Sequence, residues 1–326
     1  MTSTVLVTGA AGFVGSHFCR VAHDAGLRVV ALDDFSTSPD WPELTVAFER
    51  VVGDVAHSDL IRRLIIDREI DTIVHFAGRI RVDESMRNPA LYFEQNITKT
   101  SALLAAATSA SSKPLAFVLS SSAAVYGQPD RTPIIERDPT RPINPYGASK
   151  LASEIVLQAY ARTHEVRWAA LRYFNAAGAH PDGSLRERHD PETHLVPLAI
   201  DAVLGKRPPL VVHGGDYRTR DGTCVRDYVH VMDLAEAHLA AIATLRGGAE
   251  VGALNLGSEH GSTVKEVLNE VTVAAGRSVP YDLGPRREGD PDTLVASAGL
   301  AAETIGWRPR RNLGDIVEDA LRSRRV

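Results

Sequence analysis

Thr4-Val5-Leu6-Val7-Thr8, a short β-branched run, passes directly into Gly9-Ala10-Ala11-Gly12-Phe13-Val14-Gly15, and a helical pattern follows from Ser16 to about Ala25. An apolar run of this kind suits a strand buried on both faces. Glycines between such a strand and a helix permit a tight turn, and they let backbone N–H groups approach a pyrophosphate at the helix N-terminus. The spacing is G-x-x-G-x-x-G. Its place between a strand and a helix makes a dinucleotide site a stronger reading than a plain turn.

The first half repeats this pattern. Arg28-Val29-Val30-Ala31-Leu32 ends at Asp33-Asp34. An acid at that strand end accepts from both ribose hydroxyls and repels a 2′-phosphate, which favours NAD over NADP, with Asp33 better placed than Asp34. Arg50-Val51-Val52 leads to Gly53-Asp54-Val55, where Asp54 suits an adenine contact. Asp71–His75 leads to Phe76-Ala77-Gly78, Leu115–Leu119 leads to Ser120-Ser121-Ser122, and Val166–Leu171 forms a further strand. Helical patterns separate these runs, so the fold class is α/β, a Rossmann-type doubly wound parallel sheet. Ligands in such sheets sit beyond the carboxyl ends of the strands.

A chain of 326 residues has room for a second, smaller unit. We expect an NAD-binding domain over 1–178 and a smaller α/β substrate-binding domain over 179–326. Helical patterns near Leu195–Leu204, Asp233–Leu245, Val264–Ala275 and Leu313–Arg322, and a strand near Gly252–Gly257, fill the second half. The two parts should interleave, with late segments returning to the first sheet and the site in the cleft between them.

The formal net charge of -5 argues against a nucleic-acid or anionic-membrane partner. No apolar run reaches the length of a membrane span, and the N-terminus lacks the features of a signal peptide. Cys19 and Cys224 are far apart and have no metal-ligand spacing. A cytoplasmic enzyme without a metal is the expectation.

Tyr146-Gly147-Ala148-Ser149-Lys150 supplies the chemistry. Residues four apart share a helix face, so Lys150 can set its ammonium beside the Tyr146 phenol. A free tyrosine ionises near about 10, and a fixed cation lowers that value and makes a base for a sugar alcohol. A lone Y-x-x-x-K is common, so its weight comes from the motifs around it.

Those motifs resemble the extended short-chain dehydrogenase/reductases, and more closely the UDP-glucose (UDP-galactose) 4-epimerase family, over nearly the whole chain. The resemblance rests on Thr8–His17, His75–Gly78, Ser120–Gly127, Asn144–Lys150, Arg172–Ala179, Asp221–Leu234 and Pro285–Asp290. It implies a catalytic set of Ser122, Tyr146 and Lys150. It implies that Gly9, Gly12, Phe13, Val14, Asp33, Asp54 and Val55 line NAD. Phe76, Ala77, Gly78, Ser120 and Tyr173 would complete that lining with Tyr146 and Lys150. Asn175, His194, Leu195, Arg226, Arg287 and Asp290 would hold a UDP-sugar, together with Ser122 and Tyr146. Two arginines from separate segments suit a diphosphate through forked hydrogen bonds. The implied reaction is inversion at the sugar C4 by transient oxidation to a 4-keto sugar. A homodimer through two helices of the cofactor domain is usual in the family, and here the helices after Asn88 and around Tyr146–Thr163 could serve.

Several positions refine that reading. Dehydratases of this superfamily carry an acidic pair after the equivalent of Ser122, whereas this chain has Ala123 and Ala124, which cannot do acid–base work. A frequent family lysine aligns with Ile80, between Arg79 and Arg81. A nucleotide-binding asparagine aligns with His194, which can still donate to phosphate. A residue that gates 2-acetamido sugars aligns with Leu294. Arg186 and Arg188 read as part of a mobile charged loop; an Arg186 aimed into the sugar pocket would instead pair with a C6 carboxylate and make UDP-glucuronate the substrate. A non-catalytic NAD(H)-binding protein would show an eroded Ser/Tyr/Lys set, and here all three residues are present.

Overall fold

The computed structural model describes residues 3–42, 48–286 and 291–325. The first half alternates strands and helices: β1 (Thr4–Thr8), α1 (Phe13–Asp24), β2 (Arg28–Asp33), β3 (Glu49–Val52), α2 (Ser58–Asp67) and β4 (Ile70–His75). Then come α3 (Val82–Arg87), α4 (Pro89–Tyr92), α5 (Lys99–Ala110), β5 (Leu115–Ser122), α6 (Pro145–Thr163) and β6 (Val166–Tyr173). The second half holds β7 (Asn175–Ala177), α7 (Leu195–Val203), β8 (Leu210–His213), β9 (Val225–His230), α8 (Val231–Arg246) and β10 (Gly252–Leu256). It closes with β11 (Gly261–Thr263), α9 (Val264–Ala275), β12 (Tyr281–Gly284), β13 (Thr293–Leu294), α10 (Gly299–Ile305) and α11 (Leu313–Arg325).

Seven strands form one sheet in the order β10-β6-β5-β4-β1-β2-β3, and every pairing in it is parallel. The order reverses direction at β1, which places the glycine turn at the switch point where such sheets bind nucleotides. Helices cover both faces. One core packs Phe18, Ala22, Leu234, Ala241 and Leu245 of α1 and α8 against the sheet, and the other packs Ile61, Leu64, Leu103, Leu104 and Leu157 of α2, α5 and α6. Burial on both faces explains why the strands read as continuous apolar runs rather than alternating ones. Although β10 comes late in the chain, it pairs Gly252–Leu256 with Ala169–Tyr173 of β6 in this sheet.

The remaining strands make two small sheets. β9 lies between β11 and β13 and also pairs with β7, while β8 pairs with β12. A third core under α7, α9 and α11, including Val196, Ile200, Val267, Val271, Ile316 and Leu321, supports them. Among the described residues no helix is long and apolar enough to cross a membrane.

Two boundaries differ from the sequence reading. α1 begins at Phe13 with Gly12 as its N-cap, so the helix starts inside the glycine segment rather than after it. β5 and β6 run on to Ser122 and Tyr173. Hydrogen bonds from the neighbouring strand keep these polar ends extended, and local polarity cannot reveal that.

Candidate active site

The glycine turn is shaped by close backbone packing. Gly9 has φ +68°, and a Cβ there would lie 2.5 Å from the Ala77 nitrogen; a Cβ on Gly15 would lie 2.2 Å from the Gly9 oxygen. Only glycine fits at these contacts, and the result is a side-chain-free cradle at the N-terminus of α1. Asp33 is fixed beside it. Its Oδ2 accepts from Ala11 N–H at 2.9 Å, and its Oδ1 accepts from Phe35 N–H at 2.9 Å. Burial raises its carboxyl pKa against those two bonds. The donor-rich turn and the fixed acid suit the pyrophosphate and ribose of a dinucleotide.

Asp54 lies beyond β3, where Lys99 donates to its Oδ2 at 2.6 Å and Ala56 N–H donates to its Oδ1 at 2.8 Å. Val55 is buried. Phe76 packs against Phe18 and His238, with ring centroids 5.6 Å and 4.7 Å away. Gly78 must be glycine, because a Cβ would lie 2.8 Å from Asn96 Oδ1 and 3.7 Å from Lys150 Nζ.

Ser122 ends β5, Tyr173 ends β6 beside it in register, and Tyr146 and Lys150 stand in the first turns of α6, which Asn144 caps by accepting from Gly147 N–H. The Ser122 hydroxyl hydrogen-bonds the Tyr146 phenol and also accepts from Ala124 N–H at 3.2 Å. Lys150, only 4% exposed, donates through Nζ to Ser120 O at 3.0 Å. Its shared helix face does not suffice to make the phenol acidic. Burial raises the Tyr146 pKa, which the Ser122 bond partly offsets, and burial lowers Lys150 from 10.5 to about 8 despite the nearby Glu154 carboxylate. Desolvation, not the cation expected from the sequence, sets the direction of the Tyr146 shift. Tyr173 is buried, with its hydroxyl 2.6 Å from His238 Nε2.

A buried network fixes this floor. Arg172 grips Glu154 with two bonds, Nε to Oε1 at 2.9 Å and Nη2 to Oε2 at 2.6 Å. Ser121 also donates to Glu154, and Arg172 Nη1 donates to the Tyr126 hydroxyl at 2.8 Å, which donates to Asn255 Oδ1 at 2.7 Å. Strands β5, β6 and β10 are thereby tied to α6. Sequence reading missed this network, and it missed Asn96. That side chain, in a π-helical stretch Phe93–Thr98, accepts from Arg79 N–H at 2.8 Å and donates to Arg79 O at 3.0 Å and to Ser149 Oγ at 2.8 Å. A single buried asparagine gives no periodic signal.

The residues assigned to the sugar nucleotide fall on the second-half elements. Asn175 in β7 donates to Asp227 O at 3.0 Å, and Arg226 in β9 donates to Val225 O at 2.8 Å and Pro291 O at 2.9 Å. The Asp227 carboxylate accepts from Ser258 N–H at 2.7 Å and Ala296 N–H at 3.1 Å, so it is a structural acid inside this sheet. His194 occupies the N-cap position of α7, which begins at Leu195, without a side-chain capping bond. Its Nδ1 lies 2.7 Å from Glu187 Oε1 and 3.0 Å from Glu192 Oε1. Burial opposes the charged form, but these two carboxylates win and raise the His194 pKa from 6.5 to about 10. Arg287 and Asp290 lie outside the described residues.

Four charged residues have other destinations. Arg186 donates through Nη1 to Ser323 O at 2.8 Å, near the end of α11, and Arg188 donates to Asp40 Oδ1 at 2.6 Å. Arg186, expected in a charged loop, is thus bonded to the end of α11. Long-range partners that local sequence does not show hold both guanidinium groups. Arg81 pairs with Asp83 at 2.8 Å on the surface, while Arg79 lies 3.6 Å from Glu84.

The parallel sheet, the glycine cradle and the Ser122–Tyr146–Lys150 grouping define a class: dinucleotide-binding α/β enzymes of the extended short-chain dehydrogenase/reductase type. Residues 5–257 match the NAD dependent epimerase/dehydratase family. The UDP-glucose 4-epimerase of Azospirillum brasilense is 43% identical over 318 residues, spanning 97% of this chain and 90% of that protein. The structure of UDP-glucose 4-epimerase from Brucella ovis in complex with NAD has a TM-score of 0.93 at 40% identity, covering 98% of each chain. The Bifidobacterium longum UDP-glucose 4-epimerase in complex with NAD+ and UDP has a TM-score of 0.92 at 35% identity, covering 99% of this chain and 98% of the other. The chain belongs to the UDP-glucose 4-epimerase family.

Proposed function

We propose that this protein is an NAD-dependent UDP-glucose 4-epimerase that interconverts UDP-glucose and UDP-galactose. The observation that carries the reading is the meeting of Ser122, Tyr146 and Lys150 at the carboxyl ends of β5 and β6, beside the glycine cradle. When bound, NAD supplies a reversible hydride acceptor and a positive charge.

Tyr146 takes the proton of the sugar 4-hydroxyl and later returns it, while Ser122 hydrogen-bonds that hydroxyl and the phenol. Lys150, anchored on Ser120 O, adds the cation that works with the cofactor's charge to offset the burial of the phenol. Asn175, Arg226 and His194, with Arg287 and Asp290, anchor the UDP. The hexose itself receives few charged contacts, so a 4-keto sugar can turn over about its diphosphate link and accept the hydride on its other face. Ala123 and Ala124 supply no acid for dehydration.

The family's pairing of two cofactor-domain helices suits α6 and the segment after Asn88, where Ile155 and Phe93 are exposed apolar residues; we assign a homodimer on that face. Dependence on NAD and a nucleotide sugar, both made inside cells, is the reason for placing the enzyme in the cytoplasm. The deciding experiment incubates the purified protein separately with UDP-galactose and UDP-glucuronate and reads the C4 configuration by NMR. Conversion of UDP-galactose to UDP-glucose supports the assignment; faster inversion of UDP-glucuronate overturns it.

A further inference from the structure

Lys99 opens α5, and its side chain is only 14% exposed. Its Nζ lies 2.6 Å from Asp54 Oδ2 and 3.8 Å from Asp34 Oδ2. Asp34 follows β2 and Asp54 follows β3, so one ammonium ties the ends of two adjacent strands to a helix on the sheet face. An exposed lysine pair contributes little, because holding a long side chain still costs entropy and water screens the charge. A lysine this covered, bridging two acids, is held more firmly.

The orientation of Asp54 is therefore determined twice. Ala56 N–H holds Oδ1 at 2.8 Å and Lys99 holds Oδ2, which fixes the carboxylate plane. Each carboxylate oxygen has two acceptor sites, so both remain able to accept one bond more. Burial works to raise the Asp54 carboxyl, but Lys99 and Ala56 N–H outweigh it and hold the pKa below the usual value. The group is an acceptor with no proton to donate.

We propose that Lys99 is a positioning residue for the cofactor's adenine: it aims the Asp54 carboxylate at the exocyclic amine of the purine. This rests on reading the glycine cradle as an NAD site. A carboxylate in that role accepts from a 6-amino purine and repels a 6-oxo purine, which presents an acceptor to an acceptor. Lys99 thus sets base selectivity without touching the base.

The test is competition between NAD and its hypoxanthine analogue during exchange into the purified holoenzyme. Wild-type protein should prefer NAD by about tenfold or more, as one charge-assisted hydrogen bond allows. Lys99→Met should cut that preference at least about fivefold, and Lys99→Arg, which keeps the cation, should restore most of it. Asp54→Asn should lose the preference as well. A purely structural role for Lys99 would lower affinity for both dinucleotides alike, and an unchanged ratio in Lys99→Met would overturn the proposal. A wild-type protein that carries no NAD would instead overturn the cofactor reading beneath it.

Discussion

Leu294 of β13 stands in parallel register with Arg226 of β9. The residue expected to bound the sugar and a residue expected to grip the diphosphate are thus direct neighbours across one strand pair. On that expectation, a change of size at position 294 would move the sugar wall against a diphosphate anchor set by the same backbone bonds. Leu294→Tyr should therefore exclude UDP-N-acetylglucosamine while leaving UDP-galactose turnover within about threefold. Steady-state kinetics on both substrates checks this; equal loss on both would show that Leu294 does not gate the 2-substituent.

Tyr146→Phe removes the proposed proton acceptor and keeps the ring. Positioned acid–base groups contribute typically about 10²- to 10⁴-fold, so kcat should fall by at least about a hundredfold. NAD should stay bound, as absorbance and mass spectrometry of the denatured supernatant would show. Retained turnover would remove Tyr146 from its role.

Glu154 is 1% exposed and makes two bonds to Arg172. Breaking a buried pair from one side leaves an uncompensated charge and costs about 3–5 kcal/mol. Glu154→Gln should lower unfolding stability by that order in denaturant titrations. The double variant Glu154→Leu, Arg172→Met should be destabilised less than Glu154→Leu alone. A double loss equal to the sum would mean that the pair does not act as a unit.

His194 gives a pH signature. Its folded pKa is raised from 6.5 to about 10, so its contribution to stability is fully present below about 6.5 and is lost as pH rises through about 10. The Tm of the wild type should fall across that window. Glu187→Gln removes the nearer carboxylate, at 2.7 Å, and should flatten the alkaline fall while lowering Tm at pH 7. Identical pH profiles for the two proteins would refute the pairing as a source of stability.

The sequence by itself determined the parallel sheet. The order of buried strands and the glycine turn are written in short stretches of chain, because β-branched runs and glycine spacing act locally. It also named the Ser122–Tyr146–Lys150 grouping and the acids at strand ends. Only the tertiary structure decided what each polar group meets. Arg186 reaches Ser323 across the fold, Lys150 meets Ser120 O, and Glu154 and Arg172 pair at the end of the sheet. Lys99 likewise finds Asp54 across 45 residues of sequence. The physical reason is that apolar periodicity records which face of an element is buried, whereas charge and hydrogen-bond partners depend on contacts between distant segments. The upward shift of the Tyr146 phenol belongs to this second kind, since desolvation by the surrounding fold sets its direction.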